Sequence, residues 1–207
     1  MRELVRALKV FLLLTVLTGV VYPMLVTGAA QLVFPDQAHG SVIMRNGVAV
    51  GSTLIGQQFD QPGYLWGRPS ATAPVPYNAA ASGASNLGPN NPALVTAVAA
   101  RAEVMRASLA AAQGVPTGVP VVVPVDLVTS SASGLDPDIS PMAAQLQIAR
   151  IAHTRGMAPE VVARLISAQT HGRTFGLFGE PTVRVLAVNL ALDALPSASM
   201  RPPGATP

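Results

Sequence analysis

Hydrophobic and polar positions divide the chain into an uninterrupted apolar run and a longer stretch of short, punctuated segments. The run opens at Val10, after Lys9, closes at Pro35, before Asp36, and carries no charged residue. As a helix it rises about 39 Å, enough to cross a hydrocarbon core of roughly 30 Å with some tilt. Pro23 predicts a kink rather than a stop, because neighbouring groups re-satisfy the freed carbonyl. Arg2, Arg6 and Lys9 precede the run, offset only by Glu3, and the first cation after it is Arg45. That asymmetry predicts a cytoplasmic N-terminus and an external C-terminal body. A cleaved signal peptide ending near Gly28-Ala29-Ala30 is the rival reading. The apolar stretch continues past that site through Leu32, Val33 and Phe34, which favours a retained anchor. The expected organisation is a basic flank over 1–9, a transmembrane helix over 10–35, a soluble extracytoplasmic domain over 36–195 and a disordered tail over 196–207. The body is long enough for one domain with a real core.

Beyond the run, period and punctuation predict an α+β, helix-rich domain. Val42 to Val50 reads as a hairpin turning at Asn46-Gly47, the residue pair that tolerates two positive φ angles. Residues 51–91 form a long loop rich in Gly, Pro, Asn and Ser, and such loops are more often functional or partner-bound than idle. Asn91-Pro92 caps a helix that runs to Gln113 and stops at Gly114, with Leu94, Val98, Met105 and Leu109 near one face. Residues 115–128 are β-prone but broken by Pro116, Pro120 and Pro124, which suits an extended edge. Thr129 to Asp138 reads as turns. Further helices are expected from Ser140-Pro141 to Gly156, from Pro159 to about Gln169, and from Pro181 to Leu195.

Composition narrows the chemistry. The formal charge is +3 and the pI about 10.0, values that suggest nucleic-acid binding until the charges are located. After Pro35 the chain holds ten Arg against nine Asp and Glu, with no Lys, so its formal charge is only +1. No cationic stripe with interleaved aromatics is present, and no nucleic-acid partner is expected. Charged residues make up 11% of the chain, against about 25% in typical soluble domains. Much of the surface is therefore small and neutral, or covered by a partner. There is no Cys, which excludes thiolate metal sites and thiol catalysis. Lys9 is the only Lys and follows Leu8, so neither a Walker-type phosphate loop nor a phosphorylated Asp-Lys pair exists.

Candidate sites are correspondingly few. Asp126, Asp136 and Asp138 flank Thr129, Ser130, Ser131 and Ser133 as a conceivable hard-cation site, but turn capping explains them more simply. His39, His153 and His171 lack the spacing of a zinc site. No Gly-x-Ser-x-Gly elbow supports a hydrolytic triad. Gln57, Gln58, Trp66, Arg68 and Tyr77 mix amides, aromatics and a guanidinium in one loop, which fits a protein interface and, about equally, ordinary loop packing. Asn78 and Asn86 join the expected interface set.

Several segments, in order, resemble one family: the C subunit of the Kdp potassium-transporting P-type ATPase. They are Gly51-Ser52-Thr53-Leu54-Ile55-Gly56-Gln57, Gly67-Arg68-Pro69-Ser70, Tyr77-Asn78-Ala79, Ser82-Gly83-Ala84-Ser85-Asn86-Leu87-Gly88-Pro89, Val125-Asp126-Leu127-Val128-Thr129, Ser133-Gly134-Leu135-Asp136-Pro137 with Ile139-Ser140-Pro141, and Asn189-Leu190-Ala191-Leu192-Asp193. The resemblance implies a non-catalytic accessory subunit of an ATP-driven, high-affinity potassium importer in the cell membrane. Its partners would be a pore subunit, an ATP-hydrolysing P-type subunit and a small fourth membrane subunit, besides lipid. It would serve assembly and stability and need no cofactor of its own. The family is also described as a catalytic chaperone that raises the ATP affinity of the hydrolysing subunit. In that picture ATP is shared and Gln147 contacts nucleotide. The charge asymmetry, by putting Gln147 outside, conflicts with a cytoplasmic nucleotide, and the residue alone reads as a polar position with solvent or partner contact. An anchored exported enzyme or binding domain is the alternative of another class.

Overall fold

The computed structural model describes residues 1–113 and 121–195. The expectations for Gly114 to Pro120 and for the tail over 196–207 lie outside the described residues. The chain divides into two compact units, Met1–Ser52 and Thr53–Pro207. The hairpin after Pro35 groups with the apolar helix in the first unit.

In the first unit, helix α1 (Arg2–Val16), a π-turn (Leu17–Val21) and helix α2 (Tyr22–Val33) follow without a break. Together they make one helix long and apolar enough to cross a membrane, with none of its apolar window buried. The π-turn answers Pro23. A proline has no N–H to give and its ring crowds the carbonyl four residues earlier. The coil widens immediately before it, and Tyr22 N–H donates to the Leu17 carbonyl, five residues back. The disturbance is therefore absorbed upstream of the proline. A short helix α3 (Pro35–Ala38) leads to strands β1 (Val42–Arg45) and β2 (Val48–Ser52), paired antiparallel with a bulge between Ile43 and Met44. Asn46 and Gly47 take φ of 52° and 79°, as the hairpin turn requires.

The second unit begins with the irregular stretch before α4 (Pro92–Gln113), whose Asn91 side chain accepts from Ala93 N–H at 2.9 Å. Ala102, Met105 and Leu109 are its buried stripe. A 3₁₀ turn (Val125–Leu127) interrupts the segment that β-propensity marks as extended. Strand β3 (Asp138–Ile139) then runs into α5 (Pro141–Leu146), capped by Ser140 Oγ accepting from Ala143 N–H. The helix expected from Ser140 to Gly156 is two: α5 ends at Leu146 and α6 (Ile148–Arg155) starts at Ile148, with Gln147 between them at φ −91°, ψ −9°. Gly156 ends α6 at φ +62°, with His153 and Arg155 in the last turn.

Helix α7 (Pro159–Ala168), strand β4 (Thr170–His171), strand β5 (Thr182–Arg184) and helix α8 (Val185–Ala194) complete the unit. The helix expected from Pro181 thus starts four residues later. Thr182 to Arg184 lie centrally in an antiparallel sheet of order β3-β5-β4, and pairing on both sides outcompetes helix nucleation there. Helix α6 packs on α4 and α7, and α7 on α8. Their facing side chains, with Leu65, Leu127, Ile139 and Val183, form one core around Ile151, Val162, Val188 and Leu192, all fully buried.

Candidate functional site

Among the described residues, 62–66 find no strand partner, yet their backbone is paired by side chains from the helices. Asn189 on α8 accepts from Leu65 N–H at 2.8 Å and donates to the Leu65 carbonyl at 3.0 Å. Gln147 repeats the arrangement one residue on, accepting from Trp66 N–H at 2.8 Å and donating to the Trp66 carbonyl at 3.1 Å. Each primary amide thus imitates a neighbouring peptide group. Gln147 Nε2 also donates to the Ala143 carbonyl at 3.1 Å. Its side chain is fully buried, so the expectation of solvent or partner contact is overturned. Burial of an amide is tolerable only when its donors and acceptors are used, and here they are.

Arg150, on α6, completes this cradle. It donates to the carbonyls of Pro62 and Tyr64 and, at 2.6 Å, to Gln147 Oε1. Its guanidinium stacks over the Trp66 ring at 4.2 Å from the centroid. None of these partners is a carboxylate. Burial therefore pulls its pKa down, to about 10, which leaves it charged at neutral pH. Arg155 adds a bond to the Gly63 carbonyl at 2.6 Å, an ion pair to Asp193 at 2.8 Å and a stack on Tyr64. Gln147 and Arg150 are neighbours, but Asn189 and the loop they brace lie far along the chain, so no local pattern announces that they share a task.

The pinned segment leads into a groove. A cavity of about 380 Å³ lies between the loop and α4, lined by Gln57, Trp66, Arg68 and Tyr77, with Arg101, Val104, Met105 and Leu127 opposite or beneath. Four of the six expected interface residues therefore come together. Asn78 does not line the groove; it closes its own loop, accepting from Ala80 N–H and donating to the Ala73 carbonyl. Asn86 is exposed at φ 52°. The α4 side of the groove was the part missed as a site. Helical spacing places Met105 on one face of α4, but nothing local to the sequence reveals that the loop lies against it.

Charge at the groove is locally balanced. Arg68 pairs with Asp136 at 3.1 Å and donates to the Ser130 carbonyl. Tyr77 O–H donates to the Arg68 carbonyl at 2.6 Å, and its pKa is pushed up to about 12 by burial and by the nearby Asp136 carboxylate. Gly56 has no room for a Cβ between the Tyr77 ring and the Asp136 carbonyl. Gly134 has φ +67°, and a Cβ there would collide with the Gly83 carbonyl and Thr72.

Of the three aspartates expected to cap local turns, only Asp136 does so; Asp126 holds a backbone N–H 14 residues on, and Asp138 takes side-chain donors from across the sheet. Asp126 accepts from Ser140 N–H at 2.7 Å and Asp136 from Asp138 N–H at 3.1 Å, while Asp138 accepts from Thr182 and Arg184. Among the described residues no group of three or more His, Asp or Glu could hold a metal ion. His39, His153 and His171 are all exposed.

These features define a class: an anchor-length apolar helix joined to a small mixed α and β body that displays a braced loop and groove. Residues 4–194 match the family model described as KdpC, the K+-transporting ATPase c chain. Similar proteins named potassium-transporting ATPase KdpC subunit occur in Polaromonas naphthalenivorans (strain CJ2), 57% identical over 94% of this chain and 96% of that protein. Variovorax paradoxus (strain S110) has one at 57% identity over 93% and 96%, and Burkholderia vietnamiensis (strain G4 / LMG 22486) one at 57% over 94% and 97%. The chain belongs to the KdpC family and is an accessory subunit of a K+-transporting ATPase.

Proposed function

We propose that this subunit has no catalytic site of its own and joins the pore-forming and ATP-hydrolysing subunits into one stable complex. The groove bounded by Trp66, Arg68, Tyr77 and α4 is where a partner chain binds. The observation that carries this reading is the groove itself: an apolar floor of Met105 and Leu127, an exposed Val104 at 61%, and a rim of amides and guanidinium groups. An apolar centre with a polar rim is the anatomy of a protein interface. The helix over Arg2–Val33 anchors the chain, and Arg2, Arg6 and Lys9 hold its N-terminus in the cytoplasm of the cell whose inner membrane it spans. The body then faces outward, away from cytoplasmic ATP. In this reading Gln147 is a structural residue: it is fully buried and already bonded to Trp66, Ala143 and Arg150. A role in contacting nucleotide would require those bonds to be broken.

The test compares two equally exposed valines of α4. Val104 lines the groove and Val95, also at 61%, does not. Val104→Asp is expected to lower recovery of the other subunits with the tagged chain by about tenfold or more, and Val95→Asp to leave it unchanged. Equal recovery with both variants would refute the groove as the contact.

A further inference from the structure

Strands β4 and β5 are joined by a projection over residues 172–181 that carries three bulky apolar side chains in water. Phe175 is 90% exposed, Leu177 74% and Phe178 68%. Isolated exposed apolar residues need no explanation, but three within one tight turn form a patch. The turn is closed rather than loose. Thr174 and Phe178 exchange backbone bonds at 2.8 and 3.0 Å, and Gly176 and Leu177 donate back to Arg173 and Thr174. Phe175 sits at φ 53°, a region uncommon for a bulky residue, between an extended base and Gly176 at φ 74°. At the base, Arg173 pairs with Glu180 at 2.7 Å, and the projection rises from the β4–β5 pairing.

We infer that this tip is a docking plug that seats Phe175, Leu177 and Phe178 in an apolar pocket of another subunit of the transporter. The inference rests on the reading of the chain as an assembly subunit. Two observations choose a protein pocket over a lipid surface. The ring of backbone bonds fixes the tip's shape, including an unfavourable φ, and only a shaped partner rewards a fixed shape. Binding to an anionic bilayer surface is driven by unpaired cations. Here Arg173 is neutralised by Glu180, whose carboxylate anionic headgroups would repel. A neutral ionic pair around aromatic anchors is instead the rim and core of a protein contact.

The test uses the intact transporter in its own membrane. A benzophenone amino acid replaces Phe175, or separately Phe178, which keeps an aromatic group on the tip. Irradiation is expected to join this chain to another subunit. An adduct with lipid alone, or none, overturns the proposal. Combining Phe175→Ser, Leu177→Ser and Phe178→Ser is expected to lower recovery of the other subunits through detergent by about tenfold or more, with the chain's own melting temperature unchanged. Undiminished recovery also overturns it. If deleting residues 53–195 leaves assembly intact, the assembly reading itself fails. If assembly needs the body but the tip gives no subunit adduct, only the plug fails.

Discussion

Two irregular segments of the body, residues 62–66 and the tip over 172–181, solve the same problem in opposite ways. Neither lies within a sheet ladder, so each must satisfy its backbone by other means. Residues 62–66 borrow Gln147 and Arg150 from one stretch of the chain and Asn189 from another, and become scaffold with Leu65 fully buried at its centre. The tip closes on itself through Thr174 and Phe178 and stays in solvent. Backbone braced by distant side chains is tied to the stability of the whole unit. Backbone braced locally can change its side chains without disturbing the fold, which is what a recognition surface needs.

The comparison breaks most readily at Gln147. Gln147→Leu strands the half-buried N–H and carbonyl of Trp66 and removes an acceptor from the fully buried Arg150. A loss of about 3–5 kcal/mol is expected, since each buried unsatisfied group costs about 1–3 kcal/mol. At about 2–4 °C per kcal/mol, thermal unfolding of the full chain in detergent should fall by about 10 °C or more. A shift within error would mean that the cradle is not what holds the loop.

Asn189→Leu strands the peptide groups of Leu65 in the same way, with an expected cost of about 2–4 kcal/mol. Because Leu65 and Trp66 are adjacent, the two substitutions should not add. A double-mutant cycle is expected to give a coupling of about 1 kcal/mol. Strict additivity would show two independent clamps.

Tyr77→Phe removes a single bond, to the Arg68 carbonyl, and should cost about 1 kcal/mol at neutral pH. Its pH dependence sharpens the assignment. The folded-state pKa, about 12, lies above the ordinary 10.0, so above pH 10 the unfolded chain gives up this proton first. Stability is therefore level below pH 10 and falls between about pH 10 and 12. The depressed pKa of Arg150 acts in the opposite sense over the alkaline range. The difference between wild type and Tyr77→Phe cancels that contribution and should narrow above pH 10, in urea titrations at stepped pH.

The smallest effect belongs to the tip. Serine at Phe175, Leu177 or Phe178 should alter the stability of the full chain by no more than about 0.5 kcal/mol each, because nothing buried is lost. A larger loss in chemical denaturation would move the tip into the scaffold.

What the sequence made legible was local. Asn46-Gly47, the Asn91 and Ser140 caps and Gly156 each announce themselves within a few residues, and the structure uses each as its chemistry requires. Strands β3 and β4 escaped because two residues cannot display a period of two, and β5 because its pairing on both sides is a long-range fact. The groove was half legible. Trp66, Arg68 and Tyr77 carry interface chemistry on their own, but the α4 wall depends on how the loop lies. Gln147 is not legible as a buried residue, because a polar side chain on a capped helix looks solvated until Trp66, 81 residues away, is known to lie against it.

The same separation orders events during synthesis. Leu65 waits for Asn189, 124 residues downstream. At about 5–20 residues per second, the loop leaves the ribosome roughly 6–25 s before its clamp is made. Throughout that interval Leu65 and Trp66 have no native burial to enter. Nascent chains stopped before residue 189 should therefore be cut by protease in the loop, while chains released after it should resist.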